Sequence, residues 1–250
     1  MISNHNLNNP SSYAFVSGCW NATWLVGYAM DFDREAKTIL LSRENPDQQS
    51  AENAMQVAFP NDQIPSSLNK GDTVKVIAHL YSGVTEEMDD KAAMKAGRHV
   101  RMEGVYLGRP GILDTEPDAK AALESTSAIS MPETFTRASN HFELAGFVAG
   151  EPFQMDKRVI FLLQQANSRE SLIPIEMSGK QGIRFRKAIR VGNPIFVEGL
   201  MEPVQRGGEI QTVARATNLR RVEPARDFTF DSVPEWVLDI RRRYLSRSAG

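Results

Sequence analysis

Two stretches about 120 residues apart share one grammar, and that repeat limits what the chain can build. Val191 to Leu200, VGNPIFVEGL, reads as a glycine turn leading into a strand that meets a second glycine. Gly192-Asn193-Pro194 is a turn signal, because glycine tolerates positive φ and proline fixes its own. Ile195, Val197 and their neighbours have the β-branched, near-alternating look of a strand with one buried face. Gly199 interrupts that strand, which predicts a bulge or sharp bend. Lys70 to Leu80, KGDTVKVIAHL, says nearly the same thing: a polar residue, a glycine turn, then alternation at Val74, Val76, Ala78 and Leu80.

Two more segments join the repeat at the same shift. Leu25-Val26-Gly27-Tyr28-Ala29 meets Leu144-Ala145-Gly146-Phe147-Val148, and Ile39-Leu40-Leu41 meets Ile160-Phe161-Leu162. The last strands, around Val105 to Arg109 and Thr217 to Arg221, align only at a shorter shift, because a charged, Met- and Ala-rich insertion occupies 83–96. Strands are predicted in the first half at Tyr13–Asn21, Thr23–Met30, Lys37–Arg43, Ala54–Phe59, from Val74, and at Arg98–Leu107, with a polar turn at Asp31–Glu35. In the second half they fall at Phe142–Val148, Val159–Gln165, Leu172–Met177, Val191–Leu200 and Glu209–Arg221, with a short helix in the basic segment Ser178–Arg190.

Leaving aside the strand predicted at Tyr13–Asn21, each half thus has five short strands with a helical or irregular segment between the third and fourth. That is the recipe of an OB-fold, a five-stranded Greek-key barrel that often binds oligonucleotides. The fold class is all-β with minor α: two OB-fold repeats plus a C-terminal helix. The expected organisation is a flexible arm over 1–12, a first barrel over 13–110, a linker over 111–138, a second barrel over 139–226 and a helix over 227–250. In that last segment Ser232 and Glu235 suit a capping box, and Val233, Trp236, Val237, Ile240 and Tyr244 share one side at helical spacing.

Charge separates the halves. The net is −3 over 1–110, −3 over 111–138 and +4 over 139–250, giving −2 for the chain. An anionic partner is therefore expected on the second half. The single cysteine, Cys19, excludes an intrachain disulfide and any Cys-rich zinc site. With no signal-like start and no apolar run of about 18 residues, a cytoplasmic location without membrane contact is expected.

The second half resembles the bacterial single-stranded DNA-binding protein family. Leu144 to Val148 fits that family's apolar-x-Gly-x-apolar first strand. Arg190 to Gly199 fits its Lys/Arg-Gly-x-x-Val-x-Val-x-Gly fourth strand, with Val197-Glu198-Gly199 the most specific piece. Lys70 to Leu80 fits more loosely, since Ala78 stands where the second glycine belongs. The resemblance implies single-stranded DNA binding in replication or repair, and a homodimer, since members with two barrels per chain pair to rebuild a four-barrel assembly. Two departures stand out. The family's acidic tail is replaced by the basic DIRRRYLSRSAG, so partner recruitment by that route is not implied and the terminal helix becomes a docking candidate. The only tryptophan of the second half is Trp236.

Single-strand binding needs a basic groove and flat side chains for stacking. The best basic patch is Lys180, Arg184, Arg186, Lys187 and Arg190, with Phe185 interleaved. Lys157 and Arg158 sit in a strand turn, and Arg215, Arg220 and Arg221 lie on or after the last strand. In the first half Lys75, His79 and Tyr81 alternate away from the apolar face of their strand, as His99 and Arg101 do on theirs. Tyr28 and Phe147 are the preferred stacking residues, since they occupy the same place in the repeat; Trp20, Trp24, Phe59 and Phe153 are further candidates. Each of these has an ordinary alternative as a solvated charge or a core aromatic. No cofactor, metal or catalytic group is expected: the four histidines lack metal-ligand spacing, and neither a phosphate loop nor GxSxG is present. RNA binding and a protein-interaction scaffold in a replication, conjugation or secretion assembly are the other readings.

Overall fold

A computed structural model describes residues 20–42, 54–61, 64–85, 87–89, 97–108, 140–155, 157–206 and 208–221, with Glu235, Asp239 and Arg242. The first half contributes β1 (Asn21–Asp33), β2 (Thr38–Ser42), β3 (Ala54–Ala58), β4 (Thr73–Ser82) and β5 (Val100–Gly108). The second contributes β6 (Asn140–Val148), β7 (Phe153–Met155), β8 (Arg158–Gln164), β9 (Leu172–Ser178), the helix α1 (Gly179–Phe185), β10 (Pro194–Arg206) and β11 (Glu209–Arg221).

Each half closes on itself. In the first, β1 pairs with β2, β2 with β3, β3 in parallel with β5, β5 with β4, and β4 with β1. In the second, the same circuit runs β6, β8, β9, β11, β10 and back to β6, again with one parallel pair, β9–β11. Both are OB-folds. Closure removes the open edges a five-stranded sheet would otherwise expose.

The repeat extends to single hydrogen bonds. Gly71 and Gly192 hold φ of 88° and 76°, the left-handed region that favours glycine. Each then donates its N–H, at 2.8 Å, to the carbonyl of the matching residue on the first strand, Ala29 and Val148. Asn21 and Asn140 open the first strands and clasp the fourth. Asn21 donates to the Leu80 carbonyl (2.7 Å) and accepts from its N–H (2.8 Å), and Asn140 does the same with Met201 (2.5 and 2.7 Å). A bulge sits at one place in both barrels, opposite Ile77/Ala78 and opposite Glu198/Gly199. Its extra residue is Val105 or Thr217, so the irregularity signalled by Gly199 lies on the facing strand.

That bulge also explains Ala78. In the first barrel Ala78 faces Gly104; in the second Gly199 faces Ala216. Only one Cβ fits in each pair, because an aromatic ring fills the rest. A Cβ on Gly104 would overlap Phe59, and one on Gly199 would overlap the Arg215 carbonyl and approach the Phe142 ring to 2.7 Å. The glycine has changed strands while the pair's volume stayed constant.

The barrels join through their first strands. β1 and β6 pair antiparallel from Asn21↔Leu144 to Leu25↔Asn140, centred on Thr23↔Phe142. Asn21 matches Asn140 and Leu25 matches Leu144, so a local two-fold axis passes through that centre. Gln165 closes the seam: its amide donates to the Trp20 and Ala145 carbonyls (2.9 and 2.8 Å) and its carbonyl accepts from Asn21 (2.9 Å). One six-stranded sheet, β5-β4-β1-β6-β10-β11, therefore runs across both barrels.

Several expectations need correction. The strand expected over Thr23–Met30 begins at Asn21 and runs through Asp33, absorbing the start of the predicted polar turn, which falls at residues 34–37. The ladders to β4 and β6 hold the chain straight across Asn21–Leu25. β10 continues through Gly199 and Pro203 to Arg206; Pro203 is tolerated because β6 has already ended beside it. The short strand β7 adds to the expected set. The expected arm and linker and residues 13–19 of the expected first strand lie outside the described residues, as does most of the segment expected to form the terminal helix. Within that segment the described residues Glu235, Asp239 and Arg242 are helical, and Arg242 donates to Asp239 at 2.9 Å.

Candidate nucleic-acid interface

The residues singled out from the sequence fall on two separate surfaces. The first is the connector between the third and fourth strands of the second barrel. A seven-residue helix is marginal alone, so α1 depends on its anchors. Ser178 and Gln181 form a capping box. The Gln181 amide also donates to the Thr217 carbonyl at 3.0 Å, and the Gly179 N–H donates to the Lys157 carbonyl at 2.8 Å. Gly182 lets the helix close on Val159, where a side chain would overlap. Phe185 packs against the core and Ile189 is buried.

These anchors fix which face points out. Lys180, Arg184, Arg186, Lys187 and Arg190 are exposed, and Lys157 stands exposed where its turn meets the helix start. No acidic residue occurs between Glu176 and Glu198. Among the described residues, none of these six cations is ion-paired to a carboxylate. Arg184 lies over the Phe185 ring at 5.2 Å. Arg158 is different. It donates to Glu176 at 2.9 Å, and that carboxylate is 1% exposed, so Arg158 neutralises a buried charge.

The second surface is the outer face of the six-stranded sheet, which carries Tyr28, Lys75, His79, Tyr81, Arg101, Phe147, Arg215 and Arg220. Its charges are largely matched. Arg101 pairs with Glu103 (3.2 Å) and Glu170 (3.1 Å) and lies over Tyr81 at 5.8 Å. Arg215 pairs with Glu202 at 3.0 Å. Lys75 reaches over Tyr106 (5.9 Å) and Arg220 over Phe196 (4.5 Å). Burial depresses the His79 pKa, against the opposing pull of Glu103. At the seam, Glu143 accepts from Trp20 (3.0 Å) and contacts His141 (3.3 Å), whose ring stacks on Trp24 at 5.9 Å. The His141 hydrogen bond, more than any other cause, holds the Glu143 carboxyl below its usual range.

Of the two favoured stacking residues, Tyr28 is half-buried, but Phe147 is only 7% exposed. Phe147 is paired on both sides, by Pro194 and Gln164, and has no hydroxyl to hold it near water. Phe185 likewise spends its ring on the core, and Phe59 is buried. Phe153 remains exposed.

In the first barrel the connector between the third and fourth strands instead adjoins an acidic β1–β2 turn. A shallow hollow beside the β1–β2 turn is lined by Asp31, Phe32, Asp33, Arg34, Glu35, Thr38, Leu40 and Gln56. Arg34 is tied to the Ser66 and Leu68 carbonyls (3.3 and 3.2 Å) and lies over Phe32 at 4.4 Å. Lys70, the one cation of the connector over 59–72, pairs with Asp31 at 2.7 Å. Among the described residues no three His, Cys, Asp or Glu side chains gather as a metal site requires, and no helix is long and apolar enough to cross a membrane.

No family model and no curated protein matches the sequence. Among solved structures, the single-stranded DNA-binding protein from Thermus aquaticus superposes over 86% of this chain and 98% of its own, with a TM-score of 0.50 and 14% identity. The chain shares that fold. A deletion variant of the same protein gives 0.48 at 14% identity, over 85% and 98% of the two chains. The N-terminal domain of the PriB protein from Thermoanaerobacter tencongensis gives 0.25 at 17% identity, over 34% and 97%.

Sequence reasoning overlooked Ile183, which is 79% exposed in the middle of the basic helix. The signal was present, since Ile183 is out of phase with Gly182, Phe185 and Ile189, which face inward. The Asn21 and Asn140 clasps left no local signal.

Proposed function

We propose that the chain is a non-catalytic single-stranded DNA-binding protein that engages the strand through the α1 edge of its second barrel. The observation behind this reading is the set of six exposed cations on an OB-fold, Lys157, Lys180, Arg184, Arg186, Lys187 and Arg190, which no carboxylate among the described residues pairs. Such an edge reads phosphates, which carry no sequence information, so little sequence preference follows. The fold shared with the Thermus aquaticus single-stranded DNA-binding protein supports the reading. Domain limits of 13–110 and 139–226, a linker over 111–138 and a terminal docking helix belong to the same proposal.

The outer face of the six-stranded sheet is assigned to a second copy of the chain. Its cations are matched by carboxylates or rings, which suits a protein partner better than a polyanion. Lys75, His79, Tyr81, Arg101, Arg215 and Arg220 then serve the homodimer, in a cytoplasmic protein of replication or repair.

The test is fluorescence anisotropy of a labelled oligo-dT strand across a salt series, with duplex DNA and oligo-U as competitors. Micromolar or tighter binding that weakens steeply with salt, and that duplex fails to compete, is expected. Equal competition by oligo-U would extend the ligand to RNA. No binding at low salt would overturn the reading and leave the scaffold role, to which the acidic hollow of the first barrel is suited.

A further inference from the structure

Resting on that reading, we infer that Ile183 is the side chain that makes the basic edge prefer single strands to duplex, by packing against the faces of unstacked bases. Ile183 is 79% exposed, far more than Phe153 at 46%, Ile210 at 42% or Val105 at 41%. The inward face of its segment is already filled by Gly182, Phe185 and Ile189, so Ile183 has no structural task within the barrel. Lys180 lies three residues before it on the same helix, Arg184 follows it directly, and Arg186 and Lys187 come at the helix C-cap and in the turn beyond. An exposed apolar side chain therefore stands among exposed cations.

Charge complementarity selects the occupant. Cations flanking Ile183 hold a phosphate backbone close, and what the backbone then presents to Ile183 depends on the strand. In a duplex the base faces are stacked inside, and the outer surface is phosphate, sugar and base edges. In a single strand the bases splay, and their faces are apolar surface that gains by leaving water. The anchors of α1, the Ser178 cap, the Gln181–Thr217 hydrogen bond and the Gly182–Val159 contact, keep the isoleucine in place before the strand arrives. The cations supply affinity for any polyanion, and Ile183 supplies the difference between one polyanion and another.

The experiment compares the native chain with Ile183→Asn and Ile183→Met on three probes of equal length: oligo-dT, an abasic strand and a duplex. Ile183→Asn is expected to lower oligo-dT affinity about three- to tenfold, because an aliphatic contact is worth less than aromatic stacking. It should leave duplex and abasic affinities within about twofold, since both probes rest on phosphate contacts. The slope of log affinity against log salt should not change, as every cation is retained. Ile183→Met should retain native discrimination. The residue is exposed, so the melting temperature should hold. An equal loss on all three probes, or no loss on oligo-dT, overturns this inference while leaving the single-strand reading intact. Failure of the native chain to bind any probe overturns both.

Discussion

The two barrels agree wherever the backbone needs a particular residue and part company wherever a ligand could reach. Gly71 and Gly192 make the same turn, and Asn21 and Asn140 make the same clasp. The Ala78–Gly104 and Gly199–Ala216 pairs solve one packing problem with the glycine on opposite strands. The connector between the third and fourth strands differs completely. In the first barrel its one lysine is paired to Asp31. In the second it is a capped helix edge bearing exposed cations. A duplicated fold has kept its skeleton and has concentrated its positive charge on one copy.

The largest effect that could break this comparison is on binding. Replacing Lys180, Arg184, Arg186 and Lys187 together by Gln is expected to lower single-strand affinity roughly a hundredfold at low salt. The salt slope should shrink by about 0.7 for each phosphate no longer neutralised. The matching change in the first barrel, Lys37→Gln with Lys70→Gln, should leave affinity and slope unchanged. Equal losses from the two sets would mean that both barrels bind.

Stability tests follow. Gly199→Ala drives a Cβ into the Arg215 carbonyl, which cannot move without disturbing β11. A loss of about 3 kcal/mol is expected by chemical denaturation, toward the upper end for overpacking. Gly104→Ala meets first the Phe59 ring, a side chain rather than backbone, and should cost less, about 1–2 kcal/mol. A reversed order would undo the packing explanation of the exchanged glycine.

The asparagine clasps differ in burial. Asn140 is 1% exposed and Asn21 is half-buried. Asn140→Ala leaves the Met201 N–H and carbonyl without their partner and should cost about 2–3 kcal/mol. Asn21→Ala should cost about 1–2 kcal/mol, because water can reach Leu80 and Gln165 through the opened seam. Urea titration of both variants would measure the difference.

The smallest effect depends on pH. Burial lowers the His79 pKa below its ordinary 6.5, so the unfolded chain takes up this proton before the folded one. Stability therefore falls as pH drops below 6.5 and stops falling once pH has passed the folded value. His79→Gln should flatten that part of the stability profile. The second barrel carries Leu200 at the matching position, and Leu200→Gln should leave the slope in place.

These contrasts also show what a sequence can display. The turn glycines and the alternation after them are local, so Lys70–Leu80 and Val191–Leu200 announced both barrels. The shorter shift at the last strands was legible too, because Val105 and Thr217 occupy one bulge. The asparagine clasps were hidden, since each depends on a partner about 60 residues away. Tyr28 and Phe147 look equivalent in the repeat, yet burial separates them, and burial depends on what packs above the strand. Charge could be counted, but the commitment of Arg158 and Arg215 to carboxylates on neighbouring strands, and of Arg101 to Glu170 in a distant loop, could not. That commitment divides the candidate residues between an open edge and a matched face.

The most direct test of the asymmetry is lysine footprinting: acetylation of the native protein with and without oligo-dT, read residue by residue by mass spectrometry. Protection of Lys157, Lys180 and Lys187, with Lys37 and Lys70 unchanged, is the expected result. Protection of Lys37 and Lys70 while the second-barrel lysines stay reactive would contradict the account.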